Sequence, residues 1–200
     1  MRGQSKGTRR LQSGRSSSAS GRRRRGKGHM AKGMASHKRS NESSTVWLTP
    51  RSILWALGEF DLDPCAAPSP RPWPTAKRHI ELPEDGLTAE WYGRVWLNPP
   101  YGKDCGMDAW LEKMATHGCG ISLIFATTDT SVWKRTIWPN CDSVLFIAGR
   151  ISFRFPDGTE KDGAGGPSVL IAWSAKDTEA LMRSSIEGQI VKPLPALTPP

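Results

Sequence analysis

The sequence predicts an α/β protein built on an open, mostly parallel sheet with one antiparallel C-terminal hairpin strand. Two observations lead there. Short apolar runs alternate with stretches of helical period, which is the pattern of strands joined by helical crossovers. The last two apolar runs are instead joined by the polar, glycine-rich "PDGTEKDGAGG", which suits a hairpin and so an antiparallel pair.

Taken in order, structure is expected to begin at "TVWLTPRSILWALGEF". Thr49 is placed to cap a helix whose first position is Pro50, with Ile53, Leu54 and Leu57 on one face. "FDLDPCAAP" reads as a short strand breaking into a proline-rich turn. "SPRPWPTAKRHIELPEDGL" reads as irregular, because its prolines forbid a long helix. "RVWL" is the next strand, and "MDAWLEKMATHG" puts Trp110, Leu111 and Met114 along one helical face with Gly118 as a stop. "ISLIFATTDT" is a continuous apolar run of the kind buried on both faces. "TSVWKRTIWP" is a short helix closed by Pro139, and "DSVLFIAGRISFRF" and "GPSVLIAW" are strands. "DTEALMRSSIEGQI" makes the last helix.

Charge divides the chain sharply. Of its 28 basic residues, 13 fall in the first 40 positions, where there is no acid; the remainder holds 15 basic and 19 acidic residues, a balance of −4. Residues 1–44 are Gly, Ser and Arg with little to bury, and a disordered basic tail is expected there. A phosphate-binding arm is one reading of that tail. Its "GHM" also resembles a cloning junction, and Met30 and Met34 are alternative starts. Residues 45–190 form the expected domain and 191–200 a loose end. Four cysteines without a CxxC or a Cys/His cluster predict reduced thiols, neither zinc nor a disulfide framework, and no other metal is expected. No apolar run is long enough to span a bilayer.

The candidate site is "RVWLNPPYGKD", where a strand meets Asn98, Pro99, Pro100 and Tyr101. In open α/β sheets ligands sit beyond the carboxyl ends of strands, which is where this turn and "DPCAAP" both fall. An exocyclic amine on an aromatic ring is a poor nucleophile because its lone pair is delocalised. Two acceptors for its hydrogens, the Asn98 amide oxygen and the Pro99 carbonyl, would help the nitrogen become tetrahedral. The prolines stiffen the turn, and the Tyr101 ring offers a face for an extracted base. The same residues are also ordinary turn formers.

Together "LTPRSILWAL", "FDLDPCAAP", "EDGL" followed by a Trp, "GRVWLNPPYG", "IFATTDTSVW", "LFIAGRISF" and "PSVLIAW" resemble the phage-type DNA adenine N6-methyltransferases. The resemblance implies a Rossmann-like class I methyltransferase sheet, S-adenosyl-L-methionine as cofactor and double-stranded DNA as partner. It also implies action in a bacterial host cytoplasm. Carried over, Asn98, Pro99, Pro100 and Tyr101 are the catalytic turn. Asp63, Pro64 and Cys65 are the first cofactor-binding strand-turn, and Thr49 and Pro50 approach the methionine end of the cofactor. Asp85 lies near its adenine. The usual Gly-x-Gly is replaced by Ala66, Ala67 and Pro68, and Glu81 is a candidate for the ribose on position alone. Asp129 is either a base-pocket residue or a helix cap. Arg150 is assigned to a phosphate or to bracing the turn, with a surface ion pair as the alternative. The 157–166 loop is a DNA contact or lid, or a long hairpin. Arg94, Lys103, Lys134, Arg135 and Arg154 are the cations available to phosphates.

Overall fold

A computed structural model describes residues 46–101, 106–160 and 165–194; the predicted tail, Lys103, residues 161–164 of the loop and the C-terminal end lie outside them. The strands are β1 (Leu62–Asp63), β2 (Arg78–His79), β3 (Val95–Leu97), β4 (Gly120–Phe125), β5 (Ser143–Ile147), β6 (Ser168–Ala172) and β7 (Gly188–Val191). The helices are α1 (Arg51–Leu57), α2 (Met107–His117), α3 (Trp138–Asn140) and α4 (Ala175–Arg183), with a π-helical segment (Trp133–Ile137) leading into α3.

The strand order is β2-β1-β3-β4-β6-β5-β7. The β1–β2, β1–β3 and β3–β4 ladders are parallel, and the three ladders on the other side are antiparallel. Strand direction is therefore shared by β1 to β5, and β6 and β7 run against it. The antiparallel C-terminal hairpin strand, β6, is interior rather than at an edge. β6 threads between β4 and β5 and pairs with both, as in Ile124↔Val169 and Leu145↔Leu170. Its five residues are all buried, so an edge position would expose an apolar face. The edge is taken by β7, which falls inside the segment predicted as the last helix. That helix ends at Arg183, with Ser184 in extended conformation, and Gly188 opens the strand.

Both faces of the sheet are covered. Val95, Leu97, Ile124, Val144, Val169 and Ile171 face α2 and the π segment. Trp96, Ile121, Leu123, Leu145, Leu170 and Ala172 face α1 and α4. The period of two along each strand explains the split.

Other departures have local causes. Thr49 does not cap α1: Pro50 occupies the cap position and no side chain caps it, because the Thr49 hydroxyl is turned to Asn98. The strand "DSVLFIAGRISFRF" stops at Ile147, two residues before Gly149 with φ +81°. Within the stretch read as irregular, Arg78 and His79 pair with Leu62 and Asp63 as β2. Pro139 does not close its helix but sits inside α3. It has no N–H for the preceding turn, and the helix widens just before it, with Trp138 N–H reaching back to the Trp133 carbonyl.

Candidate active site

β1, β3 and β4 are parallel, so their carboxyl ends open at one edge of the sheet. A cleft there is lined by Thr49, Asp63, Cys65, Arg71, Asn98 and Tyr101, together with Pro99 and Pro100 and the small side chains of Ala66 and Ala67. The predicted catalytic turn and the predicted first cofactor strand-turn thus meet in one place.

Asn98 follows β3 and is held from several sides. The Cys65 thiol donates to its main-chain carbonyl at 3.3 Å. Its Nδ2 points to the Trp47 carbonyl at 3.4 Å and the Thr49 hydroxyl at 3.5 Å. The Tyr101 hydroxyl donates to the Leu123 carbonyl at 3.1 Å and lies 3.4 Å from Asn98 Oδ1. Pro99 is buried and Pro100 exposed. The Tyr101 ring packs on Phe125 with centroids 4.7 Å apart, so one of its neighbours is already an aromatic ring. Burial pushes the Tyr101 phenol well above its ordinary range, which keeps it a neutral donor.

The wall opposite is a strap of residues 46–49. Leu48 pairs with Arg154 through two main-chain hydrogen bonds of 2.9 Å, and the Thr49 carbonyl accepts from Trp73 Nε1 at 3.1 Å. At the end of β1 the Asp63 carboxylate is buried and accepts from the Thr75 hydroxyl and from Cys65 N–H. Burial raises its pKa to about 6, against the pull of those two hydrogen bonds and the nearby Arg71 charge. Burial, then the Asp63 charge, holds the Cys65 thiol protonated, as its role as donor requires. Arg71 gives two hydrogen bonds to the Ala67 carbonyl and an ion pair to Glu81, which also accepts from Ser69 N–H. The candidate ribose acid therefore follows β2, engaged with the loop that lines the cleft.

Other predicted residues lie elsewhere. Pro50 and Arg150 line a separate groove beside α1. Arg150 is exposed and stands near Gly166, which abuts the Phe125 ring. Asp129 is exposed in the turn after β4 and does not line the cleft. Asp85 is exposed, and its carboxylate accepts from Leu87 N–H at 2.9 Å. Its neighbour Gly86 presses on Pro64: a Cβ at 86 would stand 1.8 Å from the Pro64 carbonyl oxygen. Asp85 is thus beside the exit of β1 without entering the cleft.

Arg94 is withdrawn from phosphate contact. Its guanidinium is largely buried, paired with Asp177 at 2.7 Å and bonded to the Leu57 and Glu59 carbonyls. Arg154 pairs with Glu160, whereas Lys134 and Arg135 are exposed, with Arg135 3.7 Å from Asp108. His79 Nε2 accepts from two main-chain N–H groups, and burial lowers its pKa, so it is a structural acceptor. Among the described residues no group of His, Cys, Asp and Glu is placed to hold a metal ion, and no helix is long and apolar enough to cross a membrane.

Sequence reasoning missed Trp47, Arg71 and Thr75. Trp47 acts through its carbonyl, which no residue type announces, and the other two lie in the proline-rich stretch, where there is no periodicity to read.

No solved structure matches the chain. The chain is similar to a protein of Escherichia phage T1 described as a DNA N-6-adenine-methyltransferase, with 23% identity over 149 residues. That match takes in 70% of this chain and spans 60% of the relative's length. The family model described as DNA N-6-adenine-methyltransferase (Dam) matches residues 36–189, which takes in the strap, the turn after β1, the Asn-Pro-Pro-Tyr turn and all but the end of the sheet. The chain belongs to the DNA N-6-adenine-methyltransferase (Dam) family.

Proposed function

We propose that the protein transfers a methyl group from S-adenosyl-L-methionine to the N6 amine of adenine in double-stranded DNA. The observation that carries this reading is the junction between the turn after β1 and the turn after β3, joined by the Cys65–Asn98 hydrogen bond inside one cleft. Cofactor and base must meet for direct transfer, and these are the two turns assigned to them.

The residues of the cleft suit the cofactor chemically. Asp63 and Arg71 offer opposite charges to an ammonium and a carboxylate, and Ala66 and Ala67 leave the main chain approachable. When bound, S-adenosyl-L-methionine supplies a methyl carbon on a sulfonium, whose sulfur leaves as a neutral thioether. Asn98 Oδ1 and the Pro99 carbonyl accept the two hydrogens of the target amine, drawing its nitrogen toward tetrahedral geometry. Positioning carries most of the rate, because the displacement is in line and needs no base before transfer. The extra proton passes to solvent afterwards.

A base inside a duplex is out of reach, so adenine is flipped into the cleft, where Tyr101, backed by the Phe125 ring, is an aromatic side chain of the lining. Lys134 and Arg150, both exposed, are cations for the flanking phosphates.

Long-read modification sequencing of DNA from cells expressing the chain tests the reading, with Asn98→Ala as control. N6-methyladenine at one short site, absent from the control, is the expected result. Soluble protein that leaves adenine unmodified would refute it.

A further inference from the structure

The two ends of an amide are not equivalent to the groups around Asn98. On one side stand two oxygens, the Trp47 carbonyl at 3.4 Å and the Thr49 hydroxyl at 3.5 Å from Nδ2. On the other stands the Tyr101 hydroxyl, 3.4 Å from Oδ1 and already donating to the Leu123 carbonyl. The two hydroxyls admit either orientation of the amide, and the Trp47 carbonyl, which can only accept, is the group that discriminates. Exchanging the ends would set Oδ1 against the Trp47 carbonyl, acceptor to acceptor, and leave that carbonyl without this donor. The strap cannot easily retreat. Thr49 is 2% exposed, its carbonyl is held by Trp73, and Leu48 is paired with Arg154. Catalytic hydrogen bonds are often long in a free enzyme and tighten when substrate binds.

We propose that the Trp47 carbonyl of the strap fixes which end of the Asn98 amide accepts, that Thr49 is a positioning residue holding the amide's nitrogen, and that position 98 in this chain takes an amide and rejects a carboxylate. A carboxylate there would turn an anionic oxygen toward the Trp47 carbonyl with no N–H between them. A protonated carboxyl would not, since its O–H can donate to the strap while its carbonyl oxygen stays in the place of Oδ1.

The substitution Asn98→Asp separates these states by pH. The titratable groups around it are Asp63 and Cys65 from the β1 turn, Arg71 from the loop beyond, and Tyr101 from its own turn. Asp63 titrates in the same range, so the comparison is repeated in an Asp63→Asn background. A carboxyl disfavoured as an anion has a raised folded-state pKa. Its penalty is full above that pKa and shrinks as pH falls through it.

Melting temperatures of the full chain and its N98D variant, measured from pH 8 to pH 4.5, are expected to diverge at pH 8 and converge on acidification. A gap that does not change with pH overturns the amide requirement. The role of Thr49 rests on the methyl-transfer reading and is read in rates. T49V should lower kcat about fivefold, the worth of one hydrogen bond, with cofactor affinity unchanged, and T49S should restore it. Equal losses in T49V and T49S, or a loss confined to cofactor affinity, overturn the positioning role. If the wild-type chain transfers no methyl to DNA, the melting comparison still decides whether position 98 requires an amide, while the methyl-transfer reading falls.

Discussion

The Cys65 thiol lies 3.3 Å from the main-chain carbonyl of Asn98 and donates to it across 33 positions of sequence. This bond ties the turn leaving β1 to the turn leaving β3. It depends on a protonated thiol, which burial and the Asp63 charge both favour. Removing the donor in C65A is expected to lower kcat about fivefold, roughly 1 kcal/mol, while C65S, with its hydroxyl, should stay much closer to wild type. Steady-state methylation of a defined duplex by the three proteins checks this. Parity between C65A and wild type would show that the bond does not position Asn98.

Asp63 is buried with its pKa raised to about 6. The unfolded chain ionises it near pH 4, so its burial opposes folding increasingly between about pH 4 and pH 6 and fully above. Two pKa units correspond to about 3 kcal/mol. D63N keeps an acceptor for Cys65 N–H and a partner for the Thr75 hydroxyl. It should therefore be the more stable protein at pH 7.5, with the advantage gone near pH 4, in urea unfolding at both values. It should also bind cofactor less well, since a charge kept at a cost to stability belongs with function. Equal destabilisation of D63N at both pH values would contradict the burial argument.

The sequence made the order of elements legible because strands buried on both faces are short apolar runs, and because Trp110, Leu111 and Met114 keep helical spacing. It could not show that β6 passes between β4 and β5. The hairpin-like loop fixes only that the neighbouring strands can run oppositely, and pairing partners are decided by which faces need covering. The boundary between α4 and β7 was hidden for a related reason: Ser184 to Glu187 carry no proline or glycine to mark the break. At the cleft, the turns that hold Asp63, Cys65, Asn98 and Tyr101 were legible as breaks at strand ends, and the family resemblance was what singled out Asp63 and Cys65 within theirs. Thr49 was found with the wrong partner, because a threonine before Pro50 satisfies a capping rule that the fold overrides.

Gly86 tests whether the Asp85 turn braces the site. The turn is held by Lys113, whose ammonium donates to the Gly86, Leu87 and Ala89 carbonyls, and Gly86 lies against the Pro64 carbonyl. A methyl at 86 would overlap main-chain atoms, which cannot move aside as a side chain can. G86A should therefore displace the exit of β1 and weaken cofactor binding, by calorimetry, more than D85N does. The reverse order would mean that the Asp85 carboxylate itself meets the cofactor.

Arg94 shows how position in the fold overrides a surface expectation. It opens the segment entering β3, yet its guanidinium turns inward over the Phe60 ring to reach Asp177 on α4. Asp177 also accepts from Gly120 N–H at 2.7 Å and is fully buried, so one carboxylate joins β3, β4 and α4. Truncation to alanine would leave that charge without its cation and the Leu57 and Glu59 carbonyls without their donor. Breaking a buried pair from one side costs about 3–5 kcal/mol, and R94A is expected to lose that much in urea unfolding. Because Arg94 does not face the cleft, R94A that remains folded should bind DNA with an unchanged dependence on salt. A shallower salt dependence would return Arg94 to the list of phosphate contacts.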